Sequence, residues 1–277
     1  MAECADVEIR GDDHTIRGRL YVPRSSDKCP PLLIYFHFGG GVLGDLETSH
    51  TACSIIAHHS GCAVLSVEYR LAPEHRFPAA LEDSIAAFRW AKAQADRLGI
   101  DRTRIGVGGD SVGGHLAAAL SLYLRDAGEP LPWLQLLIYP VIEMDRSRIA
   151  PSPYDDLYPL TRQDMEWFTA LYLGSPDDAA QPLCSISRAG SLTGLPQTVF
   201  IQAGHDVLRA EGRAFAARLI AEDVPTVLRD YPKLPHAFTA MSGGLPAAHA
   251  ALIEIGELVA KAFETPAPSP QSYGEEQ

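Results

Sequence analysis

Strand-like and helix-like runs alternate along most of the sequence, and this alternation limits the chain to few folds. Short apolar runs predict strands at residues 7–9, 16–22, 32–37, 63–67, 104–108, 134–139, 198–203 and 226–231. Helical stretches fit between them at residues 48–59, 78–97, 113–126, 208–221 and 247–263. The pattern predicts an α/β fold: about eight strands, opened by an antiparallel pair and otherwise mostly parallel, with helices on both faces.

One interval, residues 142–196, interrupts this rhythm. A proline- and acid-rich stretch, "DRSRIAPSPYDDLYPL", is followed there by the helical "TRQDMEWFTALYL". A long insertion in a compact domain is usually a lid or another functional segment, and the alternative is a floppy surface excursion. We expect a single domain at residues 1–263 with a cap insertion at 142–196, followed by a tail at 264–277 that is disordered by composition.

Charge and cysteine content restrict the partners and the compartment. Lysine and arginine total 23 against 35 acidic residues, a formal net charge of −12, which disfavours nucleic acid and anionic membrane surfaces. The five cysteines show no C-x-x-C pairing, so neither a disulfide framework nor a zinc site is indicated. The N-terminal stretch lacks an apolar signal region, and no segment is long enough to span a bilayer. We therefore expect a cytoplasmic protein without membrane contact.

The stretch "RIGVGGDSVGGHLAAAL" joins a strand to a helix through a turn that carries a serine. Residues 109–113 fit the G-x-S-x-G elbow, in which small residues flank the serine because a Cβ there would collide with a neighbouring strand. Ser111 would then lie at a helix N-terminus, which favours developing negative charge. The alternatives are a chance match and a dinucleotide-binding turn, although the spacing is not G-x-G-x-x-G.

A serine nucleophile needs a base, and the base needs an orienting acid. Asp206 follows the predicted strand in "QTVFIQAGH", and His236 lies in "YPKLPHAF" after the last predicted strand. The order Ser111, Asp206, His236 is the one expected of an α/β hydrolase. His205 is an alternative base and Asp230 an alternative acid, and both remain open at this point.

Donors for an oxyanion are available in "YFHFGGGVLGDLE". Gly39, Gly40 and Gly41 follow a predicted strand, so their N–H groups can point toward the elbow without Cβ obstruction. The N–H of Val112, directly after the serine, is a further candidate donor. The alternative interpretation is a flexible glycine loop.

Taken together, these motifs resemble the hormone-sensitive-lipase-like carboxylesterases, the bacterial family IV branch of the α/β hydrolases. The matching segments are "HFGGGVLGDLE", "VEYRLAPEHRFPAALED", "GGDSVGGHLA", "LTRQDMEWF", "AGHDVLRAEG" and "YPKLPHAF". The resemblance implies Ser111 as nucleophile, Asp206 as acid and His236 as base, with oxyanion donors at Gly39, Gly40 and Val112. It also implies short- to medium-chain acyl ester substrates, an acyl-enzyme intermediate, no metal or organic cofactor, and a possible homodimer.

Two departures from the family pattern affect the expected site. The family usually reads His-Gly-Gly-Gly-aromatic, whereas this chain reads His37, Phe38 and then three glycines, so that Gly41 takes the place of the aromatic residue. On that register Gly39 and Gly40 are the donors, and alanine at Gly41 should be mild. The first strand begins early, which predicts a reduced cap and an accessible site covered mainly by residues 142–196.

The sequence thus favours a carboxylesterase acting on a small-molecule ester. A deacetylase, an amidase or a lactonase would use the same triad, because only the leaving group differs. A non-catalytic receptor on this fold, such as the plant gibberellin receptors, lacks the catalytic histidine. His236 is present here.

Overall fold

A single eight-stranded sheet forms the centre of the molecule. The computed structural model describes residues 3–11, 14–24 and 29–265. The strands are β1 (Glu3–Arg10), β2 (Thr15–Val22), β3 (Leu32–Phe36), β4 (Ala63–Glu68), β5 (Ile105–Asp110), β6 (Leu134–Ile138), β7 (Gln197–His205) and β8 (Thr226–Pro235). They lie in the order β1-β2-β4-β3-β5-β6-β7-β8. β2 pairs antiparallel with β1 and β4, and every other pairing is parallel, which confirms the predicted sheet.

Helices cover both faces of this sheet. They are α1 (His50–Ser60), α2 (Ala79–Ala93), α3 (Ala95–Leu98), α4 (Val112–Asp126), α5 (Arg162–Tyr172), α6 (Arg209–Ala221) and α7 (Pro246–Glu264). On one face, Leu81, Leu116 and Phe215 from α2, α4 and α6 pack in one buried cluster. On the other face, Ile56 of α1 and Leu252 of α7 belong to a second cluster. The two clusters fix the strand ends in position.

Most predicted boundaries differ from the structure by one or two residues, and three elements differ more. The first strand runs over Glu3–Arg10 rather than 7–9, although most of its side chains are exposed. The last strand continues through Pro232 to Pro235 instead of ending at 231, which the edge of a sheet tolerates because a proline there loses no inward hydrogen bond. The single helix predicted at 78–97 is divided at Gln94 into α2 and α3.

Within residues 142–196, the part that runs from Met144 to Tyr172 lies over the carboxyl end of the sheet, and the 3-10 helix Ile186–Arg188 packs against α4. The main helix of residues 142–196, α5, begins at a capping box formed by Thr161 and Asp164 and buries Met165 and Tyr172. A buried ion pair of 2.9 Å between Arg146 and Glu211 joins this segment to α6. Its role as a cap stays a prediction. Residues 266–277, most of the predicted tail, lie outside the described part of the chain.

Candidate active site

The carboxyl ends of β5, β7 and β8 bring three predicted site residues together. Ser111, Asp206 and His236 each follow directly on one of these strands. The Oγ atom of Ser111 lies 3.0 Å from Nε2 of His236, and Nδ1 of His236 lies 2.8 Å from Oδ2 of Asp206. All three residues are buried. The distances are those of a hydrogen-bonded relay from hydroxyl to imidazole to carboxylate.

The turn that carries Ser111 is strained as the elbow motif requires. Ser111 has φ 58° and ψ −119°, a conformation that side-chain-bearing residues rarely adopt. A Cβ at Gly109 or Gly113 would overlap the carbonyl oxygen of Phe36 on the neighbouring strand. This contact confirms the predicted reason for small residues on both sides of the serine. The N–H of Ser111 donates to the carbonyl of Ile138 at 2.9 Å, which holds the turn against β6.

His205 and Asp230, the alternative base and acid, make other contacts. His205 is exposed, and its ring is 6.2 Å from that of Tyr154. Asp230 lies within β8, as expected, and its Oδ2 accepts from Arg209 at 3.3 Å. Asp206 is held in its loop by the N–H of Leu208, which donates to Oδ1 at 2.8 Å. The geometry therefore joins His236 to Asp206 and leaves both alternatives outside the relay.

The glycine loop after β3 adopts backbone conformations that other residues avoid. Gly39, Gly40 and Gly41 have φ of 126°, 66° and 74°. Gly39 and Gly40 line the same cavity as Ser111 and Val112. Among the described residues, no hydrogen-bond acceptor occupies the N–H groups of Gly39 and Gly40.

The expected tolerance for a side chain at Gly41 is wrong. A Cβ there would lie 2.6 Å from the ring of Tyr172, a buried side chain that would have to shift to make room for it. The positive φ of Gly41 adds backbone strain to this overlap. Gly41 stands where the family usually has an aromatic residue, and here glycine is required because Tyr172 occupies the space that a side chain at position 41 would need.

His37 braces the glycine loop. Its Nδ1 donates to the carbonyl oxygen of Phe38 at 2.7 Å, and its own carbonyl oxygen accepts from the hydroxyl of Tyr69 at 2.7 Å. The His37 and Tyr69 rings stack at 4.3 Å. Burial lowers the pKa of His37 to about 4, so the ring stays neutral near neutral pH. His37 acts as a rigid spacer under the loop.

A cavity of about 310 Å³ opens above Ser111 and His236. Its walls come from the glycine loop, the end of β6 and α5, and they are mainly apolar: Phe38, Leu43, Val141, Met144, Leu160, Met165 and Phe168. This is a concave, apolar site with a few polar groups at its base, the usual form of a small-molecule pocket.

Sequence reasoning gave no role to two residues of this region. Phe168 covers Gly40, and the only available signal was its place in the "LTRQDMEWF" segment. Asp110 lies directly beneath the elbow, and a charged residue ending an apolar strand was the signal for it.

Within the described ranges, no group of three or more His, Cys, Asp or Glu residues could hold a metal ion. Helices long and apolar enough to cross a membrane are also absent from that part of the chain.

Comparison with known proteins supports the same assignment of fold. A family model described as alpha/beta hydrolase fold matches residues 33–240. The carboxylic ester hydrolase LipN of Mycobacterium tuberculosis is 39% identical over 242 residues, which are 85% of this chain and 64% of LipN. The ethyl acetate hydrolase of Pseudomonas putida is 37% identical over 251 residues, 89% of this chain and 78% of that protein. This chain thus spans slightly less than two thirds of the length of LipN.

A solved structure matches nearly the whole chain. The hyperthermophilic esterase of the archaeon Pyrobaculum calidifontis superposes with a TM-score of 0.88 at 37% identity, covering 94% of this chain and 85% of that one. The chain therefore belongs to the α/β-hydrolase family, in its hormone-sensitive-lipase-like branch.

Proposed function

We propose that this protein is a carboxylic ester hydrolase that works through Ser111, His236 and Asp206 and an acyl-enzyme intermediate. The observation that carries the proposal is the pair of contacts that His236 makes, 3.0 Å to the serine hydroxyl and 2.8 Å to the aspartate. Carboxylic ester hydrolases among its relatives support the choice of substrate class. The partner is a small-molecule ester, and location in the cytoplasm stays a prediction.

In acylation, Oγ of Ser111 attacks the ester carbonyl carbon while Nε2 of His236 takes the hydroxyl proton. The carbonyl π electrons move onto oxygen and give a tetrahedral oxyanion. Asp206 keeps the proton on Nδ1 and stabilises the imidazolium that forms. When the intermediate collapses, the carbon–alkoxide bond breaks and His236 returns its proton to the leaving alcohol.

Deacylation repeats the sequence with water. His236 removes a proton from water, the hydroxide adds to the acyl carbon, and the second oxyanion expels Oγ of Ser111, which takes the proton back. The buried setting of the three residues keeps these charges in a low-dielectric environment, where their interactions are strong.

The oxyanion needs preorganised donors, and we assign the N–H groups of Gly39, Gly40 and Val112 to this task. Their support is location, since all three residues line the cavity with Ser111. Val112 is also the first residue of α4, so its N–H lies at the positive end of the helix dipole. Loss of one such donor costs about 2.7 to 4 kcal/mol in comparable enzymes.

The cavity supports short- to medium-chain acyl groups as substrates. Its volume of about 310 Å³ lies at the low end of the range for small-molecule pockets, and its walls are mainly apolar. A short alkyl chain fits such a space and gains about 0.8 kcal/mol for each buried methylene. Long chains would have to leave the cavity and would gain little more.

A serine-directed fluorophosphonate tests the nucleophile. One equivalent should add to the protein, peptide mapping should place it on Ser111, and esterase activity should disappear in proportion to labelling. Ser111→Ala should neither label nor hydrolyse p-nitrophenyl acetate, and its circular dichroism should match that of the parent protein. Labelling at another serine, or ester turnover by Ser111→Ala, would refute the proposal.

A further inference from the structure

Beneath the proposed triad lies a second polar group that the reaction scheme does not use. Oδ2 of Asp110 is 2.6 Å from Oγ1 of Thr239 and 3.1 Å from the hydroxyl oxygen of Tyr139. The Thr239 and Tyr139 oxygens are themselves 2.5 Å apart. All three side chains are buried, Asp110 being 1% exposed. Three oxygen atoms thus form a closed triangle below Ser111.

The number of protons available to these three oxygen atoms indicates whether the Asp110 carboxyl is ionised. An oxygen–oxygen contact of 2.5 to 3.1 Å is attractive only when a proton lies between the two atoms. The hydroxyls of Tyr139 and Thr239 supply two protons for three contacts. If both donated to an ionised Asp110, the contact between the two hydroxyl oxygens would have no proton; if Tyr139 donated to Thr239 and Thr239 to Asp110, the contact between the Tyr139 oxygen and the carboxylate would have none. A proton on the Asp110 carboxyl completes the ring.

The surroundings of Asp110 favour the same state. No permanently charged cation pairs with its carboxyl among the described residues; its other oxygen, Oδ1, has no partner at hydrogen-bond distance, and the hydroxyl of Tyr35, which also has none, is the further donor that faces this carboxyl. An ionised carboxylate left in this way would be costly to bury. The titratable groups that face it come from four other strand ends and one helix: Tyr35, Cys53, Tyr69, Tyr139 and His236. Burial raises the pKa of the Asp110 carboxyl above its ordinary value.

We propose that Asp110 is a neutral carboxylic acid in the resting enzyme and that its hydrogen-bonded ring with Tyr139 and Thr239 positions His236 for catalysis. The inference deepens the proposed function and rests on it. Asp110 is a positioning residue in this scheme, because it acts on the reaction through Thr239 and Tyr139. It does not touch the substrate.

Two contacts connect the hydrogen-bonded ring of Asp110, Tyr139 and Thr239 to His236. Thr239 follows His236 by three residues, so the bond to Asp110 fixes the segment that carries the base against the end of β5. The ring of Tyr139 packs 4.7 Å from the imidazole of His236 and limits its rotation. Tyr139 and Ala237 both have positive φ, at 35° and 56°, and such strain persists only where the surroundings enforce it. A neutral Asp110 holds this segment without adding a second negative charge beside the imidazolium.

Substitutions at Thr239 test the positioning role. Thr239→Val keeps the shape and removes the hydroxyl, while Thr239→Ser keeps the hydroxyl and removes a methyl group. We expect kcat of Thr239→Val on p-nitrophenyl acetate to fall on the order of ten- to a hundredfold, because small displacements of a base are costly. KM should change little, and Thr239→Ser should recover most of the loss. Equal kcat values for the two variants would overturn the positioning role.

Infrared difference spectroscopy tests the neutral acid directly. The spectrum of the parent protein minus that of Asp110→Asn at neutral pH should contain the carbonyl stretch of a carboxylic acid. Glu211→Gln, which alters another buried carboxyl, is the control: its own spectrum should still contain the acid band of Asp110. A carboxylate band in the difference spectrum, without the acid band, would overturn the proposal.

Two further measurements keep the inference separate from the proposed function. If Asp110→Asn does not fold, the parent protein labelled with ¹³C at aspartate carboxyls should show one resonance at the protonated position at neutral pH. Its absence would refute the neutral acid. Ester hydrolysis by the parent protein and labelling of its Ser111 test only the proposed function. Their outcome does not depend on whether Asp110 is neutral or ionised.

Discussion

At the level of single residues, two carboxylates compete in sequence for the role of orienting acid, and their environments separate them. Asp206 contacts Nδ1 of His236 at 2.8 Å, whereas Asp230 contacts Arg209 at 3.3 Å. Replacing Asp206 by Asn should favour the wrong histidine tautomer and lower kcat by up to about 10⁴. Asp230→Asn is the matched control and should change kcat by less than about tenfold. A larger loss in Asp230→Asn than in Asp206→Asn, with both proteins folded, would exchange the two roles.

Alanine substitutions at two neighbouring glycines should impair the protein in different ways, one through activity and the other through stability. An added methyl at Gly40 meets the ring of Phe168 and one at Gly41 meets the ring of Tyr172; both rings line the cavity, but Phe168 is only partly buried whereas Tyr172 is buried. Gly40→Ala should therefore fold and lose on the order of 10² in kcat, because the methyl crowds the oxyanion and tilts the N–H of residue 40 away from it, an effect comparable to weakening one oxyanion donor. Gly41→Ala should lose on the order of 1 to 3 kcal/mol of unfolding free energy through overpacking.

Steady-state kinetics and urea denaturation distinguish the two outcomes for these glycines. If Gly41→Ala keeps its stability and loses kcat, while Gly40→Ala is active, the donors are shifted by one residue from Gly39 and Gly40. The sequence could not reveal the constraint at Gly41, because it arises from Tyr172, more than a hundred residues later in the chain.

At the level of elements, prediction succeeded where burial controls the sequence and failed at edges. β3 and β5 are fully buried, and their apolar runs located them to within a residue or two. β1 lies at the edge of the sheet with few buried side chains, so pairing with β2 rather than hydrophobicity defines its ends. β8 extends beyond its apolar run because β7 pairs with it as far as Pro235.

Helix α5 forms a wall of the cavity, which predicts control of chain length. Phe168 lines the cavity, whereas its neighbour Trp167 is 52% exposed and does not. Phe168→Ala should enlarge the cavity and shift the maximum of kcat/KM to longer acyl chains, since each further buried methylene gains about 0.8 kcal/mol. The control Trp167→Ala should keep the profile of the parent protein, with activity falling beyond medium chains.

A series of p-nitrophenyl esters from acetate to palmitate measures these profiles. An unchanged maximum in Phe168→Ala would show that this ring does not limit the acyl chain. A parent profile that keeps rising to palmitate would contradict a short acyl pocket.

At the level of the whole molecule, the meeting of the three candidate site residues was predictable because parallel strands align their carboxyl ends. Ser111, Asp206 and His236 are far apart in the chain, yet each follows a strand, and the strand order places β5, β7 and β8 near one another. The Asp110 ring was not predictable in this way. Tyr139 follows β6 and Thr239 lies in a short 3-10 helix, Phe238–Met241, and nothing in their local sequence indicates that their hydroxyls meet.

The outer edge of β8 predicts the assembly of the whole molecule. Among the described strands β8 pairs only with β7, and Val227 and Leu228 are 51% and 40% exposed on it. An edge strand without a second neighbour is a template for pairing with a second copy, and closed twofold dimers are the commonest assembly of soluble proteins. We propose a homodimer in which two β8 strands pair antiparallel over residues 226–231, before the N–H groups missing at Pro232 and Pro235.

Leu228→Glu tests this dimer, because two glutamates brought to one interface would repel each other and lose the apolar contact. Sedimentation equilibrium should give a dimer for the parent protein and a monomer for Leu228→Glu at the same concentration. Ile220→Glu places the same charge on α6, at a side chain that is 53% exposed, and should remain dimeric. The triad comes entirely from one chain, so the monomeric variant should keep most of its esterase activity. A monomeric parent protein, or a Leu228→Glu variant that stays dimeric, would exclude β8 as the interface.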